Sequence, residues 1–205
     1  MPIRVDAYTN TGMAGGWLLE AAHLREALEG GQPIELNRVM WQAMENLAPT
    51  TLGTLSLEPD DLIVVVGDDE SIVPVHAVWH SVGLEAGVYR IEGELPTMPG
   101  FDPGRALTRP TGEFVLLRDV RIEIKDRPQV GAVAASHAFV NRYTVERVEA
   151  DLMLGFFFPG AVVDTSRLPG PPDGVTTTER EPAAANSPDE EPADAAASAT
   201  PAAPR

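Results

Sequence analysis

Near the middle of the chain apolar and charged residues alternate without a break: Val120, Ile122 and Ile124 are separated by Arg121, Glu123 and Lys125. A period of two is the pattern of a strand with one face in a core and the other toward water. A strand cannot stand alone, so the chain must supply partners. Tyr89, Ile91 and Leu95 fall loosely between Val88, Arg90, Glu92 and Glu94, which predicts another. Leu62 to Val66 is a continuous apolar run, as expected of a central strand covered on both faces. The Pro/Gly-rich stretch Pro96 to Pro110 reads as a loop in which a helix is disfavoured.

The strand patterns occur twice in the same order. Pro33 to Trp41 lies over Phe114 to Ile122, matching Ile34 with Val115, Leu36 with Leu117, Val39 with Val120 and Trp41 with Ile122. Downstream, Leu57 to Val65 lies over Val140 to Val148, with Leu62 opposite Val145 and Val65 opposite Val148. Upstream, Val5-Asp6-Ala7 lies over Val75-His76-Ala77, and Trp17 to Glu20 over Tyr89 to Glu92. An internal duplication is therefore expected. Its two similar four-stranded units would have strands near 3–9, 16–21, 33–41 and 60–66, then 73–80, 87–95, 114–124 and 138–149. Trp17, Ala21, Leu24 and Leu28 also fit one helical face, with Gly30-Gly31 as a stop. The repeat favours a strand at 16–21 and a short helix at about 22–29. The fold class expected is mainly β with minor helix.

In the second copy, Ile91-Glu92-Gly93-Glu94-Leu95, Phe114 to Val120 and Phe139-Val140-Asn141-Arg142-Tyr143-Thr144-Val145 follow one another. This succession resembles a group of small uncharacterised bacterial β-domains, with I-x-G-x-L, F-x-x-L-x-D-V and F-x-N-[KR]-x-x-[IV] strands. The resemblance covers about 60 residues and implies a fold of small β units with no activity attached. The first copy has Glu58-Pro59 where the second has Asn141-Arg142.

Residues 161–205 are of another kind. They carry eight of the 19 prolines, eleven alanines, eight acids and three arginines, and after Val163 only Leu168 and Val175 are large and apolar. Such a segment buries too little to offset chain entropy. Four regions result: a first β unit at 1–70, a second at 71–151, an apolar segment at 152–164 and a disordered acidic tail at 165–205. The whole chain carries 31 acids against 15 basic residues, a net charge of −16. That disfavours a nucleic-acid backbone as partner. With no cysteine there is no disulfide, thiolate metal site or cysteine nucleophile. No signal peptide is recognised and no apolar run reaches the roughly 20 residues of a membrane helix. A cytoplasmic protein that binds no membrane is expected.

No motif specifies a chemistry. His76 and His80 would share a helical face, but on a strand four residues span roughly 13 Å, too far to share a metal. Asp68-Asp69-Glu70 after Leu62 to Gly67 reads as a solvated turn rather than a cation loop. No nucleophile elbow or kinase signature occurs, so no catalytic residue, cofactor or metal is assigned. Thr9 to Gly16 is rich in Thr, Asn and Gly and follows a predicted strand. One reading makes it a phosphate loop of a flavodoxin-like nucleotide- or flavin-binding protein or enzyme, with Thr9, Thr11, Gly12 and Gly15 around the phosphate; the other makes it a hairpin turn. Leu152 to Gly160 holds three of the six phenylalanines. It either covers a sheet edge or face, or presents Phe156, Phe157 and Phe158 as anchors for a protein partner or for self-association. A non-catalytic interaction or scaffold module is the function expected.

Overall fold

The computed structural model describes residues 1–67, 76–100, 112–150, 154, 157–164 and 166. Eleven strands occur among them: β1 Ile3–Thr9, β2 Gly12–Leu18, β3 Ile34–Ala43, β4 Pro49–Leu57, β5 Leu62–Gly67, β6 Val78–Ala86, β7 Tyr89–Thr97, β8 Phe114–Ile124, β9 Val133–Asn141, β10 Val145–Ala150 and β11 Val162–Asp164. They form one sheet in the order β11-β10-β6-β7-β8-β9-β5-β1-β2-β3-β4. Every pairing is antiparallel except β10 with β11. Among the described residues one α-helix, α1 (Leu24–Glu29, six residues), stands where a short helix was expected, with β2 before it. The protein is thus mainly β. The chain divides into Met1–Pro169 and Gly170–Arg205; the second unit lies outside the described residues, as does the acidic tail expected at 165–205 except for Ser166.

Each half of the sheet contains five strands rather than four. In the first half the order is β5-β1-β2-β3-β4; in the second it is β10-β6-β7-β8-β9. Both are meanders of four strands whose fifth returns beside the first. The additional strand of the first half is β4, where Thr, Ser and Gly break up the leucines. In the second half, the stretch expected as one strand at 138–149 is broken between β9 and β10. Asn141 causes the break: its Oδ1 accepts the Tyr143 N–H at 3.0 Å, and its carbonyl accepts from the Thr144 N–H at 3.2 Å. An Asx turn of this kind ends a strand.

Register equivalence extends through the halves. Val5 faces Gly16 and Val82 faces Gly93; Ala7 faces Val65 and Leu84 faces Val148. Pro33 to Trp41 and Phe114 to Ile122 fall on equivalent strands, as do Leu62 and Val145. The two upstream alignments were offset: the structure sets Val5 over Val82 and Leu18 over Leu95. Arg38 in β3 and Asp119 in β8 both take positive φ, 53° and 50°. At each the register shifts, between Gly15 and Trp17 on one side and between Glu92 and Glu94 on the other. These are matching β-bulges, and Gly16 and Gly93 lie in the hollows opposite them.

The sheet separates two apolar clusters. One gathers Leu84, Tyr89, Ile91, Ile122, Val148 and Phe158 among others. The other gathers Val5, Leu18, Leu36, Val39 and the α1 residues Leu24 and Leu28. The central strands serve both. In β8, Val115 and Leu117 belong to the first, while Phe114 and Leu116 belong to the second. In β5, Ile63 and Val64 face one way and Leu62 and Val65 the other, so the apolar run Leu62 to Val66 occupies an interior strand.

The bulge hollows leave no room for a side chain. A Cβ at Gly93 would lie 3.1 Å from the Arg118 carbonyl, and one at Gly16 would lie 3.1 Å from Leu36 Cβ. At Gly53 on β4 nothing lies within 4 Å. Gly16→Ala and Gly93→Ala are each expected to lower unfolding free energy in urea by about 1–3 kcal/mol. Gly53→Ala is expected to be neutral or stabilising by less than about 1 kcal/mol. Equal effects at all three positions would show that the shared bulge has no structural role.

Candidate interaction surface and cleft

The aromatic segment is part of the core. Phe158 is fully buried and Phe157 is 9% exposed; with Leu154 they pack among the second-half strands. Their rings lie 6.5 Å apart and tilted by 42°. Turns formed by Phe157 N–H donating to the Leu154 carbonyl and Ala161 N–H to the Phe158 carbonyl fold the segment back. Phe157 and Phe158 are therefore not exposed anchors: adjacent rings point inward because the chain turns at each. Phe156 lies outside the described residues. Phe158→Ala is expected to cost about 3–5 kcal/mol, read from the urea midpoint. A loss below about 1 kcal/mol would place the ring outside the core. Truncation after Asp151 would remove the same packing, so any change of assembly it caused would report lost stability.

Thr9 to Gly16 forms a two-residue hairpin between β1 and β2, with Tyr8 opposite Met13. The strand–helix–strand stretch that follows, β2–α1–β3, is not a flavodoxin-like crossover, because β2 and β3 pair antiparallel. The Thr9 Oγ1 accepts the N–H groups of Thr11 at 3.2 Å and Gly12 at 3.1 Å and donates to the Gly12 carbonyl at 3.0 Å. Those are the amides a phosphate would need, and they are already engaged. Gly12 and Gly15 have a packing reason to be glycine. A Cβ on Gly12 would collide with the Trp41 ring, and one on Gly15 would stand 2.7 Å from Arg4 Nη2 and Asp6 Oδ1.

His80 lies on β6 and its Nε2 is 3.0 Å from Thr97 Oγ1. No group of three or more metal-ligating side chains occurs among the described residues, and Asp68, Asp69 and Glu70 lie outside them. No described helix is long and apolar enough to cross a membrane.

Two other features stand out. The first is the sheet edges. β11 has three residues and is tied down by Arg147 Nη2 donating to Asp164 Oδ2 at 3.1 Å. The Ser166 N–H first, and then Arg147, hold the Asp164 carboxyl below its ordinary range. β4, at the other end, is nine residues long, and from Asn46 to Leu57 there is no charge. Thr50, Thr51, Gly53, Thr54 and Ser56 are exposed; Leu52 and Leu55 pack against the first-half cluster. Ion pairs cross the second half, as between Arg118 and Glu94 or Arg90 and Glu149. Edge strands are normally blunted by charge, shortness or a bulge. Among the described residues Pro49 is the one edge-blunting residue on β4.

The second feature is a cleft of about 300 Å³ between the β1–β3 face and the β8–β9 hairpin. Tyr8, Met13, Met40, Ile122 and Val133 line it, with Arg4 and Asp6 paired at 2.9 Å. Tyr8 and Tyr89 meet edge to face at 5.6 Å. The Tyr89 hydroxyl donates to the Thr9 carbonyl at 2.8 Å. The Tyr8 hydroxyl has no protein partner among the described residues, although Tyr8 is only 5% exposed. Burial first, and then the Asp6 carboxylate, push its pKa up to about 12, so at neutral pH it is a donor. Neither feature is visible in a motif. The charge-free stretch 46–57 was the available signal for the edge, but it gains meaning only once β4 is known to be terminal.

No family model, curated protein or solved structure matches this chain.

Proposed function

We propose that the protein is a non-catalytic cytoplasmic interaction or scaffold module that assembles with a second copy of itself through β4. The observation that carries this reading is a nine-residue terminal strand without charge on a chain of net charge −16. Two such chains repel one another over most of their surface, and β4 is where their backbones can approach. The far edge of the sheet is occupied by β11, which leaves β4 of another copy as its complement. Antiparallel pairing about Gly53 and Thr54 sets Leu52 opposite Leu55 of the second copy, and Thr51 opposite Ser56. The interface is isologous and closes as a dimer.

Native mass spectrometry and light scattering of the full chain test this. A dimer is expected whose affinity rises with salt, because screening weakens the like-charge repulsion. The double variant Thr51→Glu, Thr54→Glu puts carboxylates across the two-fold axis at exposed positions and is expected to weaken the dimer by about tenfold or more. A monomeric wild type at tens of micromolar, or a variant that dimerises as well as wild type with its β spectrum intact, would overturn the reading.

The Tyr8 hydroxyl favours a second reading, a small-molecule binding protein whose site is the cleft rather than the Thr9–Gly16 turn. The Asp6 carboxylate is paired with Arg4 and that of Glu123 with Arg121, so the ligand class is neutral: an apolar molecule offering one carbonyl acceptor. Acetophenone is a suitable probe, with ethylbenzene as the comparator lacking the acceptor. In an amide-shift titration acetophenone is expected to perturb Gly15 and Gly131, which line the cleft, and to bind about fivefold tighter than ethylbenzene. Tyr8→Phe is expected to erase that preference. A preference that survives in Tyr8→Phe would reject this reading.

A further inference from the structure

We infer that β11 is a cap that stops copies of this chain from adding head to tail, because it covers the strand edge that would receive β4 of a second copy. The inference rests on the open β4 edge and adds to it a control of how far assembly proceeds.

The molecule already contains the contact in question. Its two halves are joined by β5, the fifth strand of the first, against β9, the fourth strand of the second. The pairs are Val64 with Val140 and Val65 with Phe139. Register equivalence carries these positions across. Val65 corresponds to Val148, since each faces the matching residue of the first strand, Ala7 or Leu84. Val64 then corresponds to Arg147. On the other strand Leu36 faces Leu55 and Leu117 faces Ala138, so Phe139 corresponds to Ser56 and Val140 to Leu57.

A fourth strand is thus held by a fifth at Val64 and Val65 within the molecule. The same contact between molecules would join Leu57 and Ser56 of one copy to Arg147 and Val148 of the next. β11 occupies those positions: Val162 pairs with Arg147, Val163 with Val148 and Asp164 with Glu149. A fourth-to-fifth contact is heterologous. Repeated between copies it does not close, and it builds an open array. Three residues held by three ladder positions and the Arg147–Asp164 pair are a small barrier, placed where that growth would start.

The test uses the full chain with Val163→Pro, which takes a backbone N–H out of the middle of β11, and separately Asp164→Arg, which sets two cations against each other. Sedimentation velocity over a concentration series reads the mass. Both variants are expected to exchange the β4–β4 contact for β4–β10 contacts and to form assemblies that lengthen with concentration beyond two copies, while wild type does not. Adding Thr51→Glu and Thr54→Glu to either variant is expected to stop the growth, because the incoming strand is β4. Variants that stay dimeric alongside a dimeric wild type would overturn the cap and leave the β4 dimer standing. Growth of the variants from a monomeric wild type would overturn the isologous dimer and support the cap. Growth that survives the β4 substitutions would show that the uncovered β10 edge recruits something other than β4, and would overturn the assignment. If every protein is monomeric, both proposals fail.

Discussion

The structure depends on apolar side chains projecting from both faces of its central strands. β5, β8 and β9 lie between two clusters and contribute to each, so neither half can form its core without strands shared with the other. The direct ladder between the halves is short, Val64 and Val65 against Val140 and Phe139. Backbone pairing of that length would be weak alone. Burial holds the junction: each fully buried aliphatic or aromatic side chain contributes about 1.5–3 kcal/mol, and Val64, Val65, Val140 and Phe139 are all 3% exposed or less. Five-stranded units of about 80 residues would bury a low fraction of their surface apart.

Local period was legible in the sequence and tertiary placement was not. The alternation from Val120 to Ile124 gave β8 because one face of its C-terminal half meets water; at its N-terminal half, Phe114 to Leu117, alternation disappears because both faces are covered. Leu62 to Val66 read as central for the same reason. The matched patterns at 33–41 and 114–122 fell on equivalent strands, even to Arg38 over Asp119, although a positive-φ residue leaves no mark in a one-letter pattern when it is not glycine. β4 escaped because Leu52 and Leu55 pack on the same cluster three residues apart, which breaks a period of two. Asn141 looked like one residue of a strand pattern and is the turn that ends it.

Of the two readings the sequence allowed for each segment, burial and hydrogen bonding fit the covering segment and the hairpin turn, for a related reason. Three adjacent phenylalanines suggest exposure only if the backbone is extended through them; two turns in succession send Phe157 and Phe158 to the same interior. A Thr-Asn-Gly turn suggests anion binding only if its amides are free, and Thr9 Oγ1 already takes two. In both cases the deciding term is a hydrogen bond a few residues away. By contrast the Tyr8 hydroxyl is made conspicuous by its neighbour: two tyrosines in contact share one burial environment, and one of them is partnered.

The inner and outer versions of the fourth-to-fifth contact share a register but not a chemistry. Inside the molecule the facing residues are valines and Phe139, sealed between two clusters. At the ends of the sheet their counterparts are Ser56, Leu57, Arg147 and Val148, with Arg147 about half exposed. Equal backbone geometry with unequal side chains makes one contact permanent and leaves the other conditional. Ladder bonds alone, without burial, add little over the hydrogen bonds that water would make, so a partner at β4 must bring apolar cover of its own. Leu52 and Leu55 are half-buried there, on the side of the first-half cluster. A strand that lay along β4 with an apolar residue on that side would cover what the fold leaves open, and a second β4 carries leucines in the register to do so.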